Sequence, residues 1–193
     1  MSKRNPDSPW NPAKPADVSP EDYEKQVVAW LSSLGGEHSD FRIQHRKHLI
    51  GSGGDYEFDA IVEFTALGGA EITVLVECKR YSRPVEREDM LVIWAKLQDV
   101  KAHKAIVFST CGFQSGALQF ASSHRMASVI FVEGAFLWET RGGTPRPEPP
   151  PWVGLPRYAG VLWSWEEGKM VGSTLLPTEL GPLASWLGED SNV

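Results

Sequence analysis

Cysteine is scarce in this 193-residue chain, which has only Cys78 and Cys111. Two cysteines exclude a disulfide framework and leave no spacing suited to zinc, so a reducing, cytoplasmic setting is expected. Long hydrophobic runs are missing too. No stretch approaches the roughly 20 apolar residues of a membrane span, and the charged, proline-rich start has no signal-peptide shape, so no membrane is expected among the partners. Positive charge is also in short supply. The formal net charge of −6 argues against a chain that coats nucleic acid by bulk electrostatics. What is abundant is apolar character: 41% hydrophobic residues suit a globular protein with a real core, and the length suits one domain, or one domain with a decorated tail.

The basic residues that exist are grouped. Arg42, Arg46 and Lys47, with His45 and His48, form one run, and Lys79, Arg80, Arg83 and Arg87 form another beside acidic residues. Four prolines (Pro6, Pro9, Pro12 and Pro15) and no hydrophobic periodicity mark residues 1–18 as a disordered leader. Ser19-Pro20-Glu21-Asp22 then reads as an N-cap, a first-turn proline and early acids. The helix that follows puts Tyr23, Val27, Trp30, Leu31 and Leu34 on one face and ends at Gly35-Gly36. Glu24 is the one charged residue inside that apolar arc, which requires a reason.

A first strand is predicted over 41–50 and a hairpin over 56–65 and 71–80, centred near Gly68. Pro84 precedes a second helix, predicted over 86–100, with Met90, Leu91, Ile93, Trp94 and Leu97 as its apolar face. The continuous apolar run at 104–109 reads as a buried strand. A third helix over 113–124 and a short strand over 128–132 complete a mixed sheet flanked by helices. Residues 140–157 turn to proline and glycine, as a linker or strap. The 158–193 extension is expected to hold a hairpin of 160–166 with 169–175, carrying Trp163 and Trp165, and a short helix over 178–187.

Alternation along 74–80 places Glu77 and Lys79 on one strand face and Val74, Val76 and Cys78 on the other. In the hairpin register that pairs Ala60, Val62 and Phe64 with Val76, Val74 and Ile72, Asp59 stands opposite Glu77. Like charges at that separation repel unless something holds them, and a divalent cation would do so. Mg²⁺ or Mn²⁺ would take one or two carboxylates, here Asp59 and Glu77, with the backbone carbonyl of Cys78 as a further oxygen ligand. Lys79 would supply charge near an attacking water and a phosphate. Glu24 would join through a water or a second metal ion.

Asp59 followed eighteen positions on by Glu77-Cys78-Lys79 resembles the signature of the PD-(D/E)xK nuclease superfamily, and more narrowly that of Mrr-type restriction endonuclease catalytic domains. Supporting stretches are Tyr23-Glu24, Gly53-Gly54-Asp55 ahead of Phe58-Asp59, Glu77-Cys78-Lys79-Arg80-Tyr81, Ser109-Thr110-Cys111-Gly112-Phe113 with Ala117 and Phe120-Ala121, and Val132-Glu133-Gly134. The resemblance covers roughly residues 19–139. It implies an α/β, restriction-endonuclease-like αβββαβ core, Mg²⁺ dependence and hydrolysis of nucleic-acid phosphodiesters. Catalysis would fall to Glu24, Asp59, Glu77 and Lys79, with substrate contacts from Gln98, Arg80, Arg83, Ser109 and Thr110. The chain departs from many Mrr-type members, which have glutamine where Glu77 stands, and the tryptophan-bearing tail has no counterpart in the pattern.

The leading expectation is a DNA endonuclease acting in defence against foreign DNA, with RNA left open as substrate and a homodimer suited to double-strand cutting. Two alternatives stand beside it: a nuclease-fold binding or assembly module without catalysis, and the cutting subunit of a larger machine with residues 141–193 as a docking surface for a protein partner. The plainer reading of Glu24 is a helix-edge acid paired with an arginine. That of Ser109 and Thr110 is turn-capping, and that of the tail is packing onto the core.

Overall fold

Ser19 starts the first helix as its sequence suggests. Its Oγ accepts the Asp22 backbone N–H at 3.1 Å and donates to the Asp22 carboxylate at 2.7 Å, satisfying an otherwise orphaned helix-end donor. In the computed structural model, which describes residues 18–34, 39–66, 69–133, 158–175 and Trp186, this helix is α1 (Pro20–Leu34). It is followed by β1 (Ser39–Ile50), β2 (Asp55–Ala66), β3 (Ala70–Lys79), α2 (Arg87–Asp99), β4 (Lys104–Ser109), α3 (Ser115–Ser123), β5 (Ala127–Glu133), β6 (Tyr158–Glu166) and β7 (Lys169–Leu175). The leader, the strap and the closing helix expected over 178–187 lie outside the described residues, apart from Val18 and Trp186.

The seven strands form one sheet in chain order, β1 to β7. β1, β2 and β3 are antiparallel, β3, β4 and β5 are parallel, and β5, β6 and β7 are antiparallel again. The parallel steps need crossovers, which α2 and α3 provide. Both helices pack on one face, as successive crossovers of one hand advancing in one direction require. Their partners include Phe58, Ile61, Leu75, Ala105 and Val107. α1 covers the other face, burying Tyr23, Val27, Trp30 and Leu31 against Ala60, Val62, Val74, Val76, Phe108 and Phe131. Each large side chain buried there contributes roughly 1.5–3 kcal/mol. Covered on both faces, β4 is buried at all six positions, which is why it reads as an unbroken apolar run.

The β2–β3 register is the expected one: Ala60 pairs with Val76, Val62 with Val74 and Phe64 with Ile72. The second helix is one residue shorter at each end than expected. Glu86 is its N-cap, in a reciprocal capping box with Asp89. Leu91, expected on the apolar face, is 48% exposed because the buried stripe runs through Met90, Ile93 and Leu97.

The C-terminal hairpin forms across Glu167-Gly168, whose φ angles of +47° and +79° suit a two-residue turn with left-handed central positions. It is not a separate appendage. β6 pairs with β5 from Tyr158 to Trp163, and Leu175 is fully buried in the α1-side core. Among the described residues no helix is long and apolar enough to cross a membrane.

Candidate active site

The β2–β3 ladder stops at Ala60–Val76, one residue short of the expected Asp59–Glu77 pair. The reason lies in β2 itself. Ala60, Val62 and Phe64 pack on the α1 side, whereas Phe58 packs with Ile61 on the α2 side, so the alternation of faces changes phase at Asp59. Across from it in β1, Arg46 lies between the paired residues His45 and Lys47 and adopts φ +49°, a conformation L-residues with a side chain seldom take. Such irregularities re-aim side chains at the ends of strand pairing. Asp59 uses the gap: its Oδ2 accepts the Cys78 backbone N–H at 2.6 Å.

Burial is the largest influence on Asp59 and, reinforced by the Glu77 and Glu24 carboxylates, raises its carboxyl to about 6, against the pull of the Cys78 amide and Lys79. Glu77 is only 5% exposed. Its carboxylate is divided between two lysines: Lys79 Nζ donates to Oε2 at 2.9 Å and Lys96 Nζ donates to Oε1 at 3.3 Å. Burial would lower the Lys79 ammonium, but the charge and hydrogen bond of Glu77 outweigh it and the net shift is upward. The Cys78 thiol lies among the residues packed on the α1-side core, and burial raises it well above the usual thiol range.

Glu24 approaches from the α1 face rather than from the face of Glu77. It accepts from Arg46 Nε at 3.1 Å and pairs with His45 Nε2 at 3.0 Å. The plainer reading of an acid held by a nearby arginine therefore describes its contacts, while its charge still acts on Asp59. Gln98 does not reach this cluster. It is exposed and lies about 200° around α2 from Lys96. Ser109 is fully buried, its Oγ donating to the Gly112 carbonyl at 3.1 Å and accepting the Cys111 amide, so it shapes the turn rather than facing a phosphate. Thr110 likewise donates to the Tyr81 carbonyl at 3.0 Å. Arg80 donates to the Val18 carbonyl at 2.7 Å, tying the start of α1 to the end of β3. Arg83 stacks on Tyr81 and pairs with Asp89 at the start of α2.

Lys96 is the residue that sequence reasoning missed. A helical wheel offers the signal, since Lys96 lies about 60° from Ile93, at the border of the buried stripe. Among the described residues, no three of His, Cys, Asp and Glu stand close enough to chelate an ion by themselves. That donor set still fits Mg²⁺, which takes hard oxygen ligands, commonly only one or two from protein carboxylates. Asp59 agrees with this: burial chiefly, and then the Glu77 and Glu24 carboxylates, disfavour its charged form, and a cation would favour it.

A mixed sheet between helices, with this strand order, defines a restriction-endonuclease-like α/β protein. The Mrr catalytic-domain family, described as a restriction endonuclease, matches residues 16–140. The chain belongs to that family. It is 31% identical over 118 residues to the type IV methyl-directed restriction enzyme EcoKMrr of Escherichia coli (strain K12), a match covering 61% of this chain and 36% of the relative. The chain thus spans about a third of that enzyme's length. A crystal structure of a protein of unknown function, AF1548, aligns with a TM-score of 0.48 and 16% identity over 57% of each chain.

Proposed function

We propose that this chain is a divalent-metal-dependent endonuclease that hydrolyses DNA phosphodiesters, in restriction of foreign DNA. One observation carries the reading: where the strand ladder opens, Asp59, at a phase change in β2, accepts the Cys78 amide and is influenced by the charge of the buried Glu77 on β3, which pairs with Lys79. Family membership and the similarity to a restriction enzyme support the same chemistry. Asp59 and Glu77, with the Cys78 carbonyl, would hold Mg²⁺ or Mn²⁺. When bound, the ion would neutralise phosphate charge and lower the pKa of water. Lys79 would direct its ammonium at the phosphate oxygens as they gain charge and would help orient the attacking water. Glu24, held by Arg46 and His45, would act on that water or on a second ion from the α1 side. Double-strand cutting by a chain with one such site would call for a pair of chains.

Incubating the purified protein with supercoiled plasmid and Mg²⁺ or Mn²⁺ tests this. Wild type should nick or linearise the DNA, EDTA should stop it, and Lys79→Ala or Asp59→Ala should lower the rate at least about 100-fold. Robust cleavage by either variant, or none by wild type on DNA or RNA, sinks the reading.

A further inference from the structure

Each oxygen of the Glu77 carboxylate already accepts from a lysine, Oε2 from Lys79 and Oε1 from Lys96, so a cation approaching either one meets a positive charge at hydrogen-bonding distance. The two lysines are held differently. Lys79 sits two residues away on the same strand, so the backbone fixes its approach, and its contact is the shorter one. Lys96 comes from α2, its contact is 3.3 Å and its side chain is 27% exposed. In that same position its Nζ is 5.5 Å from the centre of the Phe58 ring, within reach of a cation–π contact that does not depend on Glu77.

We propose that Lys96 is a built-in placeholder for the divalent ion. In the metal-free protein it holds Glu77 in place and satisfies its buried charge. A divalent cation bound at Oε1 repels that ammonium and drives it off the oxygen, toward the Phe58 ring. The charge balance agrees with this role. Asp59 and Glu77 against Lys79 and Lys96 sum to zero, whereas without Lys96 the same cluster is left with an uncompensated negative charge that attracts a cation more strongly. Lys96 is therefore a positioning residue that weakens metal binding while keeping the empty site folded. The proposal rests on Asp59 and Glu77 as the metal-holding pair.

The test uses the full chain as wild type, Lys96→Met and Lys96→Arg. Methionine keeps the stem over Phe58 and removes the charge; arginine restores the charge. Calorimetric titration with Mn²⁺ should show Lys96→Met binding about tenfold more tightly than wild type, with Lys96→Arg near wild type. In EDTA, Lys96→Met should melt a few degrees lower, because Glu77 loses one of its two partners, and saturating Mn²⁺ should remove that deficit. If wild type binds Mn²⁺ and Lys96→Met binds it no more tightly, the placeholder role is overturned and the nuclease reading stands. If neither binds Mn²⁺, the nuclease reading fails and the competition fails with it. An unchanged melting temperature in EDTA overturns the role of Lys96 in holding Glu77, whatever the metal does.

Discussion

Asp59→Asn removes the charge at the centre of the site while keeping its shape. Burial first, and then Glu77 and Glu24, raise the Asp59 carboxyl from 3.8 to about 6. A raised carboxyl means that the folded chain binds the proton more tightly than the unfolded one. Its contribution to stability is therefore full below pH 3.8 and is lost as pH rises through about 6. A displacement from 3.8 to about 6 corresponds to roughly 3 kcal/mol, and solvent reaching the carboxyl reduces this to ~1–2 kcal/mol. Asparagine retains an oxygen for the Cys78 amide, which lies 2.6 Å from Oδ2. Metal-free Asp59→Asn should therefore melt about 2–8 °C above wild type near pH 8, with the gap closing as pH falls below about 6. Scanning fluorimetry in EDTA across that range reads it directly. Added Mg²⁺ should narrow the gap from the other side, since the aspartate gains a ligand and the asparagine gains little. A variant that melts below wild type near pH 8, or an advantage that does not vary with pH, refutes the reasoning.

Gly160→Val should cost roughly 1–3 kcal/mol by overpacking, because even a Cβ there would stand 3.1 Å from both Trp30 and Val129 side-chain atoms; chemical denaturation measures the loss. Deleting residues 141–193 should abolish cooperative folding, since it strips β6 from the edge of β5 and takes Leu175 out of the core. A truncated chain that melts cooperatively near the wild-type temperature would show instead that the extension is separable and free to serve as a docking surface.

The elements were legible wherever burial is one-sided or complete. The α1 stripe, the β2–β3 register and the unbroken run of β4 all follow from which faces are covered. The joining of β6 to β5 was not legible, because strand order at an edge depends on how the chain returns, and residues 140–157 carry no pattern that fixes it. Around Asp59 the sequence was half readable. Glu77 and Lys79 share a face as alternation requires, and Lys96 reaches Glu77 from the α2 side of the sheet. The break in alternation at Asp59 and the left-handed Arg46 opposite have no local signature in the sequence, since neither position holds glycine. Glu24 stood out in the sequence as an acid inside an apolar arc, but its partners Arg46 and His45, on the α1 side of the sheet, come from a strand whose irregular path has no local signature. Ser109 looked available as a turn hydroxyl, but the close approach of Gly112 draws it inward.

Anomalous scattering from crystals grown with Mn²⁺ decides whether Asp59 and Glu77 hold the ion. A peak is expected about 2.1 Å from a carboxylate oxygen of both Asp59 and Glu77, with Lys96 withdrawn from Oε1. Glu77 still held by both lysines at saturating Mn²⁺, with no peak beside Asp59, would contradict it.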